Sequence, residues 1–361
     1  MSKPNSHKAA FLGCGRVAQH YIKMLSEVHP VDGLECIAAC DLDLAKAEAL
    51  TARLGGRAYT DYATMLAEAK PDLVFILTRS GDHVDHARQA LEAGVHVISE
   101  KPIGLDPEAV RALAETADAR GLMYGGVFQN RWNPAVRKLK EVYDSGRLGA
   151  IVSAAIRLRW CRSQDYYEDG WHGTWAQDGG VINQQAIHHV DAMNWICGPV
   201  EAVCAAAGNR ANRLEAEDTL VATVRFESGA LGTIEATTAA RPEDFEASLS
   251  VLGDRGLIQI GGIALNKIDM WRFVETEEGD ETVAERFSQE VPTGYGLGHG
   301  PYLSDLTAAL DAGATRAPVS AQEAVAAVDL VHALYASIET GGWVRLADKP
   351  RSKKLGRGPE G

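Results

Sequence analysis

The sequence predicts two domains: an α/β domain built on a parallel sheet, then an α+β domain built on a large, mostly antiparallel, open-faced sheet. Three observations lead there. At 361 residues the chain is longer than one typical domain. Its first third alternates apolar strand-like runs with helix-length segments, the pattern of right-handed βαβ units. After "SGRLGA", long β-rich runs follow one another with little helix between them, which points to antiparallel pairing.

The strand-like runs of the first part are "KAAFLGCG", "ECIAACD", "DLVFILT" (72–78) and "VHVISE" (95–100). Helices are expected between them over 16–28, 42–54, 61–69 and 83–93. A helix over 106–120, the strand "LMYGGVF" and a helix from Asn133 to Ser145 complete this part. Strands are then expected over 150–162, 200–208, 218–226, 230–239 and 246–253, and helices over 299–312 and 321–339. The domains are placed at 1–128 and 129–347. The basic "DKPRSKKLGRGPEG" (348–361) is read as a flexible tail or subunit arm.

Apolar residues make up 46% and charged residues 24%, a profile that fits a soluble globular protein. Asp and Glu outnumber Lys and Arg by 49 to 36, so the net charge is −13. Such a surface repels phosphate backbones, and nucleic acid is not an expected partner. A small anionic ligand stays compatible if arginines cluster locally. "MSKPNSHK" is too polar for a signal peptide, and no apolar run approaches bilayer-spanning length. The six cysteines (14, 36, 40, 161, 197, 204) form no CxxC pair, and most sit in apolar contexts. A reduced, cytoplasmic protein without a metal site is expected.

"AAFLGCGRVAQHYIKML" places Gly13, Gly15 and Ala18 in a G-x-G-x-x-A pattern between a strand and a helix. The first glycine permits the tight turn, the second lets backbone approach a pyrophosphate, and the small third residue lets helix and strand pack closely. The pyrophosphate would rest on the helix N-terminus. Asp41 ends the second strand, where a carboxylate accepts from ribose hydroxyls and repels a 2′-phosphate. This makes the first domain a Rossmann dinucleotide-binding domain and favours NAD over NADP.

"GVHVISEKPIGLDPEA" sets Glu100, Lys101 and Pro102 at the carboxyl end of a buried strand, the edge at which open α/β sheets bind ligands. A lysine there can hydrogen-bond a substrate hydroxyl, or take its proton if burial lowers the lysine pKa. A plain Glu100–Lys101 ion pair is the bland alternative, but successive strand residues point to opposite faces.

"GCGRVA", "CD" at 40–41, "HVISEKPIG", "SGDHVDHARQALEAGVHV" and the segment from His188 to Asp191 together resemble the Gfo/Idh/MocA oxidoreductases over nearly the whole chain. The resemblance implies cofactor contacts from Gly13, Gly15, Arg16, Val17, Asp41, Thr78, His83, Glu100 and Lys101. Arg79 stands where many members carry proline, so it either touches cofactor or lies on the surface.

The stretch "GGVINQQAIHHVD" (179–191) has two readings. On a helical wheel Ala186, Val190, Met193 and Cys197 form an apolar stripe, with Gln184, His188, Asp191 and Trp195 opposite. Those four are the wet face of an amphipathic helix, or the wall of a site. The resemblance favours the wall. It implies that His188 and Asp191 match the family's histidine and later aspartate, and that Gln184 stands at an Asp/Asn position. Gln184 keeps the hydrogen bonding there but cannot act as a base, whereas His188 can, since the unperturbed pKa of a histidine lies near neutrality. The catalytic set is therefore Lys101, His188 and Gln184, and His189 is read as a core or cofactor-side residue.

The segment "YYEDGWHGTWAQDGGVINQQAIHHVD", with "FQNRWNPAVRKLKE" and "LGHGPYLSDLTAAL", is similar to members acting on nucleotide sugars, especially UDP-N-acetylglucosaminuronate 3-dehydrogenases. That similarity implies NAD-linked oxidation at C3 and a homo-oligomer, a dimer or a tetramer built on the C-terminal sheets. Lys101, Arg131, Arg159, Trp171, Gln184 and His188 are the expected substrate contacts. Arg131, Arg157, Arg159 and Arg162 either fork a diphosphate or carboxylate or are solvated. Trp171 and Trp175 either cover the ring or base or pack on another subunit. The rival readings are a dehydrogenase of a free sugar or inositol and a non-catalytic NAD-binding regulator, the latter disfavoured because Lys101 and His188 are both present.

Overall fold

The structure, a computed structural model, describes residues 6–358. Most of the polar N-terminal stretch and the end of the C-terminal tail lie outside the described residues. The chain divides into two compact units, one running up to Phe128 and joined by Leu297–Val325, the other made of Gln129–Gly296 and the chain from Ala326 onward.

The first unit alternates β1 (His7–Leu12), α1 (Arg16–Lys23), β2 (Leu34–Cys40), α2 (Leu44–Leu54), β3 (Arg57–Tyr59), α3 (Tyr62–Ala69), β4 (Leu73–Ile76), α4 (His83–Glu92), β5 (His96–Ser99), α5 (Pro107–Ala119) and β6 (Tyr124–Gly126). The sheet order is β3-β2-β1-β4-β5-β6, and every pairing is parallel. A sheet covered on both faces explains why its central strands read as unbroken apolar runs: Ala9–Phe11 and Leu73–Ile76 are fully buried. Asp43, Asp61 and Asp106 cap α2, α3 and α5 through their side chains, and Pro107 opens α5. α1 alone of the early helices starts at a glycine, Gly15, with no side-chain cap. The strand order reverses between β1 and β4, and this switch point opens a crevice at the carboxyl edge.

The second unit holds α6 (Pro134–Asp144), β7 (Ile151–Arg159), α7 (Val181–Gln184), α8 (Ile187–Cys197), β8 (Val200–Gly208), β9 (Thr219–Phe226), β10 (Leu231–Thr237), β11 (Glu246–Gly253), β12 (Gly256–Gly261), β13 (Lys267–Phe273) and α9 (Val283–Phe287). Then come α10 (His299–Asp311), α11 (Ala321–Thr340) and β14 (Val344–Arg345). Its eight-stranded sheet runs β13-β12-β11-β7-β10-β9-β8-β14, antiparallel except between β7 and β10. Burial alternates along the strands. Ala154, Ile156, Leu158, Leu249 and Val251 are buried on the face where α8 packs on β7 and β11. The register puts Arg157, Arg159, Val221, Leu231, Glu235 and Leu252 together on the other face. There Val221 is 49% and Leu231 54% exposed, so the sheet is open on that side.

Three expectations need correcting. The boundary at 129 omits a return: α10 belongs to the first unit, where Tyr302 donates to the Gly126 carbonyl at 3.2 Å and Gly126 N–H to Val319 O at 3.0 Å. The "GG" of "LMYGGVF" makes this possible, since a Cβ on Gly125 would stand 2.3 Å from Ala317 Cβ. The expected flexible tail is packed down as far as it is described. Ser352 Oγ donates to Glu339 at 2.7 Å, Gly356 N–H reaches the Trp175 carbonyl at 2.8 Å, and Leu355 is 4% exposed. The stretch 179–191 is two helices with a break at Gln185–Ala186, and it lacks a wet face: every residue from Asp178 to Met193 is buried.

Candidate active site

The glycine turn is shaped as its pattern requires. Gly13 has φ +89°, and a Cβ on it would press 2.8 Å from the Leu77 carbonyl, so only glycine fits. Gly15 faces open space, with nothing within 4 Å of a Cβ built on it. The uncapped N–H groups of α1 therefore open onto room for an anion. Arg16 is exposed and Val17 half-buried beside them. Asp41 accepts from Cys14 N–H at 2.7 Å and Asp43 N–H at 2.9 Å. One carboxylate thus braces the turn and keeps lone pairs for ribose hydroxyls. The open cradle and the half-buried acid fit a dinucleotide.

Thr78 Oγ1 pairs with His86 Nδ1 at 3.0 Å. His83, expected at the cofactor, is 1% exposed, with Nδ1 2.7 Å from the Pro102 carbonyl and Nε2 3.0 Å from the Thr78 carbonyl. Both ring nitrogens are taken by backbone, so His83 ties the Lys101–Pro102 turn to the end of β4 instead of offering a free ring nitrogen to cofactor. Burial lowers its pKa, against the pull of the two carbonyls. Arg79 is exposed and donates to Asp82 at 2.9 Å.

Glu100 also differs from expectation. It is 5% exposed and turned inward, accepting from Tyr21 OH at 2.9 Å, from Lys101 N–H at 3.2 Å and from His299 Nε2 at 3.4 Å. Burial alone would raise its pKa. The bond and charge of His299, the charge of Lys101 and the Tyr21 bond outweigh that and hold it below the ordinary carboxylate value. Lys101 is half-buried at the carboxyl end of β5, its backbone held by this carboxylate. His20, 3.2 Å from His299, is pushed down to about 3 by burial first and by His299 second. Tyr21, His20 and His299 were not singled out from sequence, since nothing local links α1 to α10.

In the second unit His188 is 8% exposed and its Nε2 accepts from Gln129 Nε2–H at 3.4 Å. Gln184 is 8% exposed on α7. His189 is 1% exposed, burial lowers it to about 4, and Trp160 meets it edge-on at 6.3 Å, so it is a core histidine. Trp171 lies against His172, ring centroids 3.7 Å apart and planes tilted by 31°, and His172 Nδ1 pairs with Asp169 at 2.5 Å. Trp175 lies edge-on to Tyr335 at 5.1 Å within the unit.

The arginines are matched by carboxylates of the same unit. Arg131 forks Asp191, with Nε at 2.8 Å and a terminal nitrogen at 2.6 Å. Arg159 forks Glu235 at 2.7 and 2.8 Å and reaches Glu246 at 3.0 Å. Arg157 lies 3.9 Å from Glu246, and Arg162 pairs with Asp244 at 2.8 Å. The expectation of forks open to substrate is corrected for Arg131 and Arg159. Arg159 moreover lies on the open face of the sheet, away from α8 and His188.

Residues 7–127 match the model of an oxidoreductase family with an NAD-binding Rossmann fold, and residues 136–259 match the GFO/IDH/MocA C-terminal domain. Among solved structures, the WlbA dehydrogenase of Bordetella pertussis in complex with NADH and UDP-GlcNAcA is 32% identical, with TM-score 0.89 over 96% of this chain and 99% of that one. The WlbA dehydrogenase of Chromobacterium violaceum with the same two ligands is 33% identical, with TM-score 0.86 over 96% and 97%. The D-glucoside 3-dehydrogenase of Escherichia coli is 29% identical over 69% of this chain and 75% of its own length. Matching models over both units, together with the open glycine cradle, Asp41 and the Glu-Lys-Pro turn, place this chain in the Gfo/Idh/MocA family of NAD-binding oxidoreductases.

Proposed function

We propose that this protein oxidises a secondary hydroxyl, at C3, of a nucleotide sugar such as UDP-N-acetylglucosaminuronate. The observation that carries the reading is the likeness to two dehydrogenases solved with NADH and UDP-GlcNAcA, which extends over 96% of this chain and thus over both units. NAD, when bound, accepts the hydride. The chain's own residues do the rest: Lys101 or His188 removes the hydroxyl proton, and Gln184 hydrogen-bonds the sugar. His188 Nε2 accepts from Gln129, which fixes the tautomer and orientation of the ring. Trp171 is the apolar surface proposed for the sugar or base. Six free cysteines fit a reducing, cytoplasmic setting. The open face carrying Val221 and Leu231 is the proposed contact between copies in a dimer or tetramer.

A free sugar or cyclitol is the second reading, favoured by the D-glucoside 3-dehydrogenase and by an inositol 2-dehydrogenase of Saccharopolyspora erythraea that is 25% identical over 79% of this chain. A single-turnover assay separates the two. Enzyme and NAD are mixed with UDP-N-acetylglucosaminuronate, UDP-N-acetylglucosamine, glucose or myo-inositol, and reduced-nicotinamide absorbance is followed. Signal with the nucleotide sugars alone supports the first reading, and signal with glucose or myo-inositol alone supports the second. Silence with all four despite NAD binding rejects both.

A further inference from the structure

Glu217 stands two residues ahead of β9, 3% exposed, beneath the turn that opens α7. Its carbonyl accepts Val181 N–H at 2.9 Å, and its Oε1 accepts Ile182 N–H at 3.2 Å and Tyr335 OH at 3.1 Å. Gly180 N–H in turn donates to the Tyr335 oxygen at 2.9 Å. Three successive backbone N–H groups, at 180, 181 and 182, are therefore held by one glutamate and one tyrosine that is itself 2% exposed. The packing is close: a Cβ on Gly180 would lie 2.2 Å from Glu217 Oε2. That second oxygen is buried without a hydrogen-bond partner among the described residues. Asn183 closes the turn by donating to the Asp178 carbonyl at 2.6 Å, and Gln184 follows at once.

We propose that Glu217 is a positioning residue: with Tyr335 it fixes the 180–184 turn and so sets where Gln184 stands in the site. This rests on the reading of Gln184 as a substrate contact. The carboxyl does so as the neutral acid, for a structural reason. Oε1 already receives two donors, while Oε2 has neither a donor nor a cation to stabilise a charge. The groups facing it are Tyr335 from α11, the backbone of α7, Asp218 next to it in the chain and Asp178 near Tyr335, and both charged neighbours are acidic. Burial, against the bonds from Ile182 and Tyr335, raises the Glu217 pKa to about 8. Above that pH a charge appears under the turn, the turn loosens, and Gln184 loses its place.

The test compares wild type, Glu217→Gln, Tyr335→Phe and Gln184→Ala. KM and kcat are measured across pH with UDP-N-acetylglucosaminuronate or myo-inositol, whichever turns over. Amide exchange of 180–184, corrected for its intrinsic pH dependence, is followed without substrate. The wild-type KM should rise about tenfold per pH unit above its midpoint, with kcat less affected and NAD binding unchanged. Glu217→Gln, which keeps the acceptor and cannot ionise, should match wild type near neutrality and abolish the rise. Tyr335→Phe should raise KM and speed exchange at every pH. If Glu217→Gln keeps the wild-type rise, or exchange at 180–184 is the same in all variants, the positioning role is overturned. If exchange behaves as expected but Gln184→Ala leaves KM untouched, the positioning stands and the substrate reading of Gln184 fails.

Discussion

Arg131 and Asp191 form a forked ion pair at 2.8 and 2.6 Å, with side chains only 8% and 4% exposed. It joins the 129–132 turn to α8 one turn beyond His188, while Gln129 from the same turn donates to His188. Breaking a buried pair strands a charge, which costs far more than the pair itself is worth. Asp191→Ala should therefore destabilise the protein by about 3–5 kcal/mol. Arg131→Met combined with Asp191→Leu should cost clearly less than the sum of the single changes, as read by chemical denaturation.

Lys101 gives the sharpest functional expectation. Lys101→Met should lower turnover about 10²- to 10⁴-fold, the usual range for losing a positioned general base. NAD affinity, read by protein fluorescence, should change little, because the cradle at Gly13 and Gly15 and the carboxylate of Asp41 are untouched. A variant with undiminished turnover would remove Lys101 from the chemistry.

His83 should act on the same turn from behind. His83→Phe removes the ties to Pro102 and Thr78 while keeping an aromatic ring in a fully buried site. A neutral imidazole carries one N–H, so one buried carbonyl then lacks its donor, at about 1–3 kcal/mol. Melting temperature and turnover should fall together, with the KM for NAD less affected than kcat.

Asp41 braces the turn, and its carboxylate is proposed to set cofactor choice. Asp41→Ser should weaken NAD binding by about one to two powers of ten, the value of a charge-assisted hydrogen bond. It should also bring NADP closer to NAD in kcat/KM, because the repelling carboxylate is gone. Unchanged discrimination would locate cofactor choice elsewhere.

Glu217 makes stability depend on pH. Its folded pKa, about 8, lies above the ordinary carboxylate value, so the folded state binds a proton that the unfolded chain releases. The favourable contribution is complete below the ordinary carboxylate range and fades as pH rises to about 8, by about 1.4 kcal/mol for each pH unit crossed. Wild type should lose stability from mildly acidic to mildly alkaline pH, and Glu217→Gln should flatten that slope.

Much of this protein was legible in the sequence because the signals concerned are local. Unbroken apolar runs such as "LVFI" mark parallel strands covered on both faces, and a glycine pattern between strand and helix marks the cofactor turn. Asp41 and Lys101 were found because each follows such a strand directly. The partners of the polar side chains could not be found this way. Arg131 meets Asp191 60 residues away, Glu217 meets Tyr335 118 away and Glu100 meets His299 199 away. A guanidinium reads the same in sequence whether it is open to a phosphate or closed by an aspartate. Likewise, the helical wheel of 179–191 assumed one continuous helix, which the break at 185–186 denies. Periodicity and turn chemistry are properties of neighbours along the chain, so the sequence determined the elements and the cofactor edge. Hydrogen-bond partnership and burial belong to the packed chain, so only the tertiary structure decided which charged groups remain open to a ligand.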